Sequence, residues 1–272
     1  MDEEAALQQH YDAIAKEYDA VAQPVEDILS ILKLPPHASA LDVGCGTGNL
    51  TFRLPHIRIL RRVVGVDVSD GVLSIAKKRA HALRLNNVEF IRASASQLPF
   101  DNGEFDAVVS NMVFHLIPNQ EKAFAEVIRV LKSEGLAVLK FMGGGEVLPE
   151  MMRLFHQAWN EVLPEKPPPC LFYPPAVETV EKHLANLGVE AVEIAQRHNT
   201  TRVTEADAAS WLNFFQLVAG FWRKGITEEA AAHIDDLLAD KVMKQVKAEA
   251  SFSVTVDTLL VEFKKTANPT TS

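Results

Sequence analysis

The chain has 272 residues, a formal net charge of −9, and 47% apolar beside 23% charged residues, enough to bury the core of one large α/β domain with added helices. The acidic balance disfavours a nucleic-acid partner, and no window approaches the roughly 20 apolar residues of a membrane span. Two cysteines, Cys45 and Cys170, exclude a disulfide framework, and an acidic start without a basic-then-apolar leader points to the cytoplasm.

Residues 3–34 are expected to be helical, with Tyr11, Ile14, Ala15 and Tyr18 on one face. Five apolar runs follow: Ala38–Val43, Val63–Val68, Val88–Ala93, Phe105–Met112 and Leu136–Phe141. Several are apolar on both faces, as strands buried between helix layers are. Helical stretches separate them, most clearly Gly71–Leu85 and Gln120–Leu131. This alternation predicts a parallel, right-handed, doubly wound sheet. Prolines 164, 167–169, 174 and 175 then mark a stiff, irregular connection. Ala176–Leu187 reads as a helix closed by Gly188, Val189–Ala195 as a strand, 204–249 as helical, and Thr255–Lys264 as a last strand before a flexible tail.

The stretch from Leu41 to Leu50 carries the chemistry. A strand runs into Gly44, Gly46 and Gly48, and a helix follows. Glycine permits positive φ and leaves room for a ligand to approach the backbone. In a dinucleotide fold the glycines follow G-x-G-x-x-G. Here the third glycine falls one place early, and Asn49 stands at the dinucleotide position. Asp42, two residues before the first glycine, suits a cofactor bearing an ammonium and a sulfonium better than one bearing two phosphates. Asp67 closes the next strand, where an acid can accept hydrogen bonds from both ribose hydroxyls. Ser69 or Asp70 can cap the following helix, which leaves Asp67 for the ribose.

With these residues in place, the chain resembles the class I S-adenosylmethionine-dependent methyltransferases, over roughly residues 38–141. Asp42, Gly44, Gly46 and Gly48 match the first motif of that family, and Asp67 its ribose-binding acid. Val88–Phe100 resembles the third-strand segment that contacts adenine, Phe105–Asn111 the fourth strand, and Ile128–Gly135 the turn to the fifth. The resemblance implies S-adenosylmethionine as cofactor, held by Asp42, Gly44, Cys45, Gly46, Gly48, Asp67, Val68, Ser94, Ala95, Asn111 and Tyr18. Many family members place an aspartate where Ser94 stands, to accept a hydrogen bond from the adenine amino group. Ser94 can accept one without charge assistance.

The fold this implies is α/β, a doubly wound, mostly parallel, Rossmann-like sheet of seven strands with added N-terminal helices and a helical lid. Residues 1–145 hold the N-terminal helices and the cofactor-binding half. Residues 146–254 hold the proline-rich connection, a helix and strand, and the lid, and 255–272 the last strand and tail.

Methyl transfer from a sulfonium needs alignment first, and a base only if the acceptor must lose a proton. His115 is either that base, also touching substrate, or a packed side chain. Tyr11, Asp12, Tyr18 and Asp19 form a short repeated pattern, either half-buried packing or a segment across the cofactor site. Trp211, Phe214, Phe215, Val218 and Trp222 at helical spacing form either a buried helix face or the wall of an apolar acceptor pocket, with Trp211 and Phe215 touching the acceptor. The histidines lack metal-ligand spacing, so no metal is expected. The expected acceptor is a small molecule, its reacting atom open. Two alternatives stand beside this reading: a non-catalytic S-adenosylmethionine-binding protein, and a nicotinamide-dependent oxidoreductase.

Overall fold

A computed structural model describes residues 3–20, 23–57, 59–170, 172–189, 192–223, 225–249 and 251–266. The tail expected to be flexible (267–272) and two positions of the expected strand at 189–195 (190 and 191) lie outside those residues.

The chain begins with α1 (Glu3–Ala13), a single 3-10 turn (Tyr18–Ala20) and α2 (Glu26–Ile31). Where one helical region was expected, the structure has two short helices around a turn. Pro24 disfavours continuation, and Asp19 turns away from the helix path to pair with Arg79. Next come β1 (Ser39–Val43), α3 (Leu54–Ile57), β2 (Arg62–Asp67), α4 (Asp70–Ala82), β3 (Val88–Arg92), β4 (Phe105–Asn111), α5 (Gln120–Val130) and β5 (Leu131–Val147). Then follow α6 (Pro149–Val162), α7 (Val177–Asn186), β6 (Val192–Val203), α8 (Glu205–Ala219), α9 (Glu228–Glu249) and β7 (Phe252–Lys264).

The seven strands lie in the order β3-β2-β1-β4-β5-β7-β6. The pairings β3–β2, β2–β1, β1–β4 and β4–β5 are parallel. Glu134 N donates to Lys265 O and Lys265 N to Gly135 O, which sets β7 antiparallel to β5. Sheet order reverses on either side of β1, so the crevice outside the carboxyl ends of β1 and β4 is where a ligand binds in such sheets.

The chain divides into two compact units. The first comprises residues 1–144, 173–197 and 258–272, and the second 145–172 and 198–257. In the first, β1 is buried on both faces, and alternate residues feed two cores. Leu41 and Val43 join Phe105, Val108, Phe124 and Phe141 on one side. Ala40 joins Val63, Leu73, Ala107 and Val138 on the other. Ser69 caps α4 by accepting a hydrogen bond from Val72 N, and Gly188 ends α7 with a φ of +78°.

The second unit is built on α6, α8 and α9. The expected helical run over 204–249 breaks after α8, at Gly220 and at Gly225 with its φ of +87°. Its core is aromatic: Phe155, Trp159, Phe215 and Trp222 pack with ring centroids 5.3–6.0 Å apart. Among the described residues no helix is long and apolar enough to cross a membrane.

Candidate functional site

The carboxyl ends of β1, β2, β3 and β4 converge on one cleft in the first unit, about 730 Å3 including its open mouth. The turn after β1 forms its floor. Gly44, Gly46 and Gly48 have φ values of +71°, +55° and +93°, a region in which an L side chain is strained. Gly44 N and Cys45 N both donate to Val66 O, at 2.8 and 2.9 Å, so the turn is tied to β2 from its first residue. A β-carbon on Gly44 would lie 2.2 Å from Val113 Cγ2, and one on Gly46 2.7 Å from Tyr18 Cε1. A larger side chain at either position would have to displace Val113 or Tyr18.

Asp67 stands at the end of β2 on the cleft wall. One carboxylate oxygen accepts from Gly46 N at 2.9 Å and the other from Ser69 N at 3.0 Å. Burial raises its pKa, opposed by the N–H groups of Ser69, Gly46 and Val68. With about four acceptor sites, the carboxylate keeps capacity for a further donor. Val68, Ala93, Ser94, Ala95 and Ser96 continue the wall past the end of β3, and Val72, Val113, Leu116, Ile117 and Pro118 make an apolar side.

Helix α1 closes the cleft from above with Glu4, Leu7 and Tyr11, and the following turn adds Tyr18. The two tyrosine rings meet edge to face with centroids 5.7 Å apart. Burial pushes both hydroxyls far above the ordinary tyrosine range, so both stay protonated. Asp12 Oδ1 accepts from Ser69 Oγ at 2.6 Å and from Gly71 N at 2.7 Å. Asp19 accepts from Thr47 Oγ1 in the glycine turn and pairs with Arg79. Arg79 therefore fastens this segment, whereas a basic run of its kind reads as a solvated face.

Gly44, Gly46, Asp67, Val68, Ser94, Ala95 and Tyr18 of the expected set line the cleft. Cys45 and Gly48 belong to the same turn, and burial drives the Cys45 thiol pKa up. Asp42 is fully buried beneath the turn, where its Oδ2 accepts from Thr51 Oγ1 at 2.6 Å. Burial carries its pKa to about 7. Asn111 donates through Nδ2 to Gln23 O at 3.3 Å and is absent from the cleft lining. His115 is also absent from it: the ring is buried, Nδ1 accepts from Met142 N at 3.3 Å, and burial lowers its pKa to about 3. Phe215 is buried in the aromatic core of the second unit, and Trp211 packs edge to face on Phe214.

Sequence reasoning missed Glu4, Leu7, Val72, Met112, Val113 and Leu116 as lining residues. One signal was within reach: Glu4, Gln8 and Asp12 repeat every four residues, a polar stripe on one helix face. Met112 gave none, because its φ of +62° is a property of the folded chain. That strained residue delivers Val113 onto the face of Gly44. Among the described residues, no group of histidine, cysteine, aspartate and glutamate side chains could hold a metal ion.

Residues 41–139 match the methyltransferase domain family. That span contains the glycine turn, Asp67 and the Ser94–Ala95 wall. The demethylmenaquinone methyltransferase of Bacillus cereus is 29% identical over 138 residues, 47% of this chain and 58% of that protein. The chain thus spans a little over half the length of the curated relatives it matches. The fold matches the YcgJ protein of Bacillus subtilis with a TM-score of 0.62 at 17% identity, over 90% of this chain and 98% of that one. It matches phosphoethanolamine N-methyltransferase 2 of Haemonchus contortus, in complex with phosphomonomethylethanolamine and S-adenosylhomocysteine, with a TM-score of 0.64 at 16% identity. That match covers 98% of this chain and 61% of the other.

Proposed function

We propose that this protein transfers a methyl group from S-adenosylmethionine to a small, largely apolar acceptor. The observation that carries the reading is the coincidence, in one cleft, of a glycine turn that leaves no room for side chains and a carboxylate with acceptor capacity to spare. The cofactor supplies a methyl group on a positively charged sulfur that leaves readily. Gly44 and Gly46 line the cleft beside its aminoacyl chain, with Val113 and Tyr18 packed where their side chains would stand, and Asp67 accepts from the ribose hydroxyls. The Ser94–Ala95 segment borders the base. The Tyr18 ring lies against Gly46 and its protonated hydroxyl is a donor for the aminoacyl carboxylate.

Val72, Val113, Leu116 and Ile117 exclude water from the apolar side, which favours an acceptor with a hydrocarbon or ring framework. His115 is assigned to packing, since a buried imidazole with a pKa of about 3 is neutral and lies away from the cleft lining. With the tyrosines protonated as well, rate enhancement rests mainly on alignment of the acceptor. A cytoplasmic location and an acceptor other than nucleic acid complete the reading, supported by the net charge of −9 and by a cysteine count of two, too low for a disulfide framework. The test is incubation with methyl-labelled S-adenosylmethionine and a panel of quinols, phenols and fatty acids. The expected result is label in an organic-soluble product together with S-adenosylhomocysteine. Label recovered only in unchanged S-adenosylmethionine across a broad extract would refute transfer.

A further inference from the structure

We infer that Glu4, on helix α1, supplies the carboxylate that recognises the exocyclic amine of the adenine ring. This inference rests on the methyltransferase reading and extends it to the base. The ribose-binding acid closes β2, so a base attached to that ribose extends over the neighbouring strand end, toward Ser94 and Ala95. An aromatic amine there needs an acceptor. Ser94 is poorly equipped for it: its hydroxyl oxygen already accepts from Ser96 N at 3.1 Å, and its single proton goes to Glu4 Oε2 at 2.8 Å. Glu4 and Asp67 are the carboxylates among the described residues of the cleft lining, and Asp67 is held at the ribose end. An ionised carboxylate offers about four acceptor sites, of which Ser94 fills one.

The placement of Glu4 is imposed by its helix. Glu4, Gln8 and Asp12 lie along one face of α1, four residues apart. Asp12 takes Ser69 Oγ and Gly71 N, Gln8 Oε1 accepts from Arg92 Nη2 at 2.8 Å, and Glu4 takes Ser94 Oγ. Three contacts in register walk from the start of α4 to the end of β3. They deliver a carboxylate to the position from which the strand itself presents only a hydroxyl. Base recognition and docking of the N-terminal helix are therefore one event in this chain.

The experiment is calorimetric titration of the full chain with S-adenosylhomocysteine and with S-inosylhomocysteine, in which a carbonyl replaces the amine. Wild-type protein should prefer the adenosyl compound by about tenfold or more, the worth of one charge-assisted hydrogen bond. Glu4→Ala should bring that ratio close to one. Gln8→Ala loosens the same helix without touching the base, so it should weaken both ligands and keep the wild-type ratio. Equal losses for both ligands in Glu4→Ala, or collapse of the ratio in Gln8→Ala, overturn the assignment of Glu4 while leaving the cofactor reading intact. Wild-type protein that takes up neither compound overturns both.

Discussion

Gly46 tests how closely the cleft is built around its N-terminal segment. Its φ is +55°, and its missing side chain faces the Tyr18 ring. Alanine there has two separable costs. The left-handed backbone costs an L residue about 1–2 kcal/mol. The added methyl would sit 2.7 Å from Tyr18 Cε1, where ordinary contact begins at 3.4 Å, so the ring must move. Overpacking of that kind costs roughly 1–3 kcal/mol. Together these give a loss of about 2–5 kcal/mol, and at about 2–4 °C per kcal/mol a fall in Tm of roughly 4–20 °C. Urea denaturation of Gly46→Ala, Tyr18→Ala and the double variant separates the two costs. Without the ring, the methyl meets only the backbone penalty, so the two substitutions should couple by at least about 1 kcal/mol. Additivity to within about 0.5 kcal/mol would refute the close contact.

Two buried titrating groups give opposite pH dependences. Asp42 has a native pKa of about 7 against an ordinary 3.8, so wild-type protein loses stability as pH rises from about 4 to 7. In Asp42→Asn that loss is removed, and denaturation across the window should show the variant gaining on wild type by a few kcal/mol, then levelling off. His115 has a native pKa of about 3 against 6.5, so wild-type protein loses stability as pH falls below 6.5. His115→Gln should gain on wild type over that lower range, and a flat difference would refute the buried neutral ring. Asp12→Ala removes the acceptor for Gly71 N and Ser69 Oγ and should cost about 1–3 kcal/mol in denaturant melts. Phe215→Ala should cost about 3–5 kcal/mol by opening the aromatic core of the second unit. Trp211→Ala, partly exposed, should cost clearly less, and equal losses would contradict that packing.

The glycine turn and Asp67 were legible because their chemistry is written in spacing. Three glycines after an apolar strand, and an acid at the next strand's end, leave few other uses. A cap at Ser69 or Asp70 was legible for the same reason, and the structure uses Ser69. Asp42 illustrates what spacing does not carry. It lies beside the turn in sequence, yet strand alternation turns it inward onto Thr51. His115 is similar, since an apolar neighbourhood does not reveal which side of the turn the ring takes. Glu4 and Gln8 escaped attention because a polar stripe on a short helix resembles a solvated face until the strand ends opposite it are known. The breaks within 3–34 and 204–249 depend on tertiary pairing and on single glycines, which a helical periodicity over long windows averages away.

Thermal unfolding with saturating nucleoside ligands tests the central claim most directly. S-adenosylhomocysteine at 100 times its Kd should stabilise the native chain by about 2.7 kcal/mol, raising Tm by roughly 5–10 °C, while NAD leaves it unchanged. A shift with NAD and none with S-adenosylhomocysteine would contradict the account.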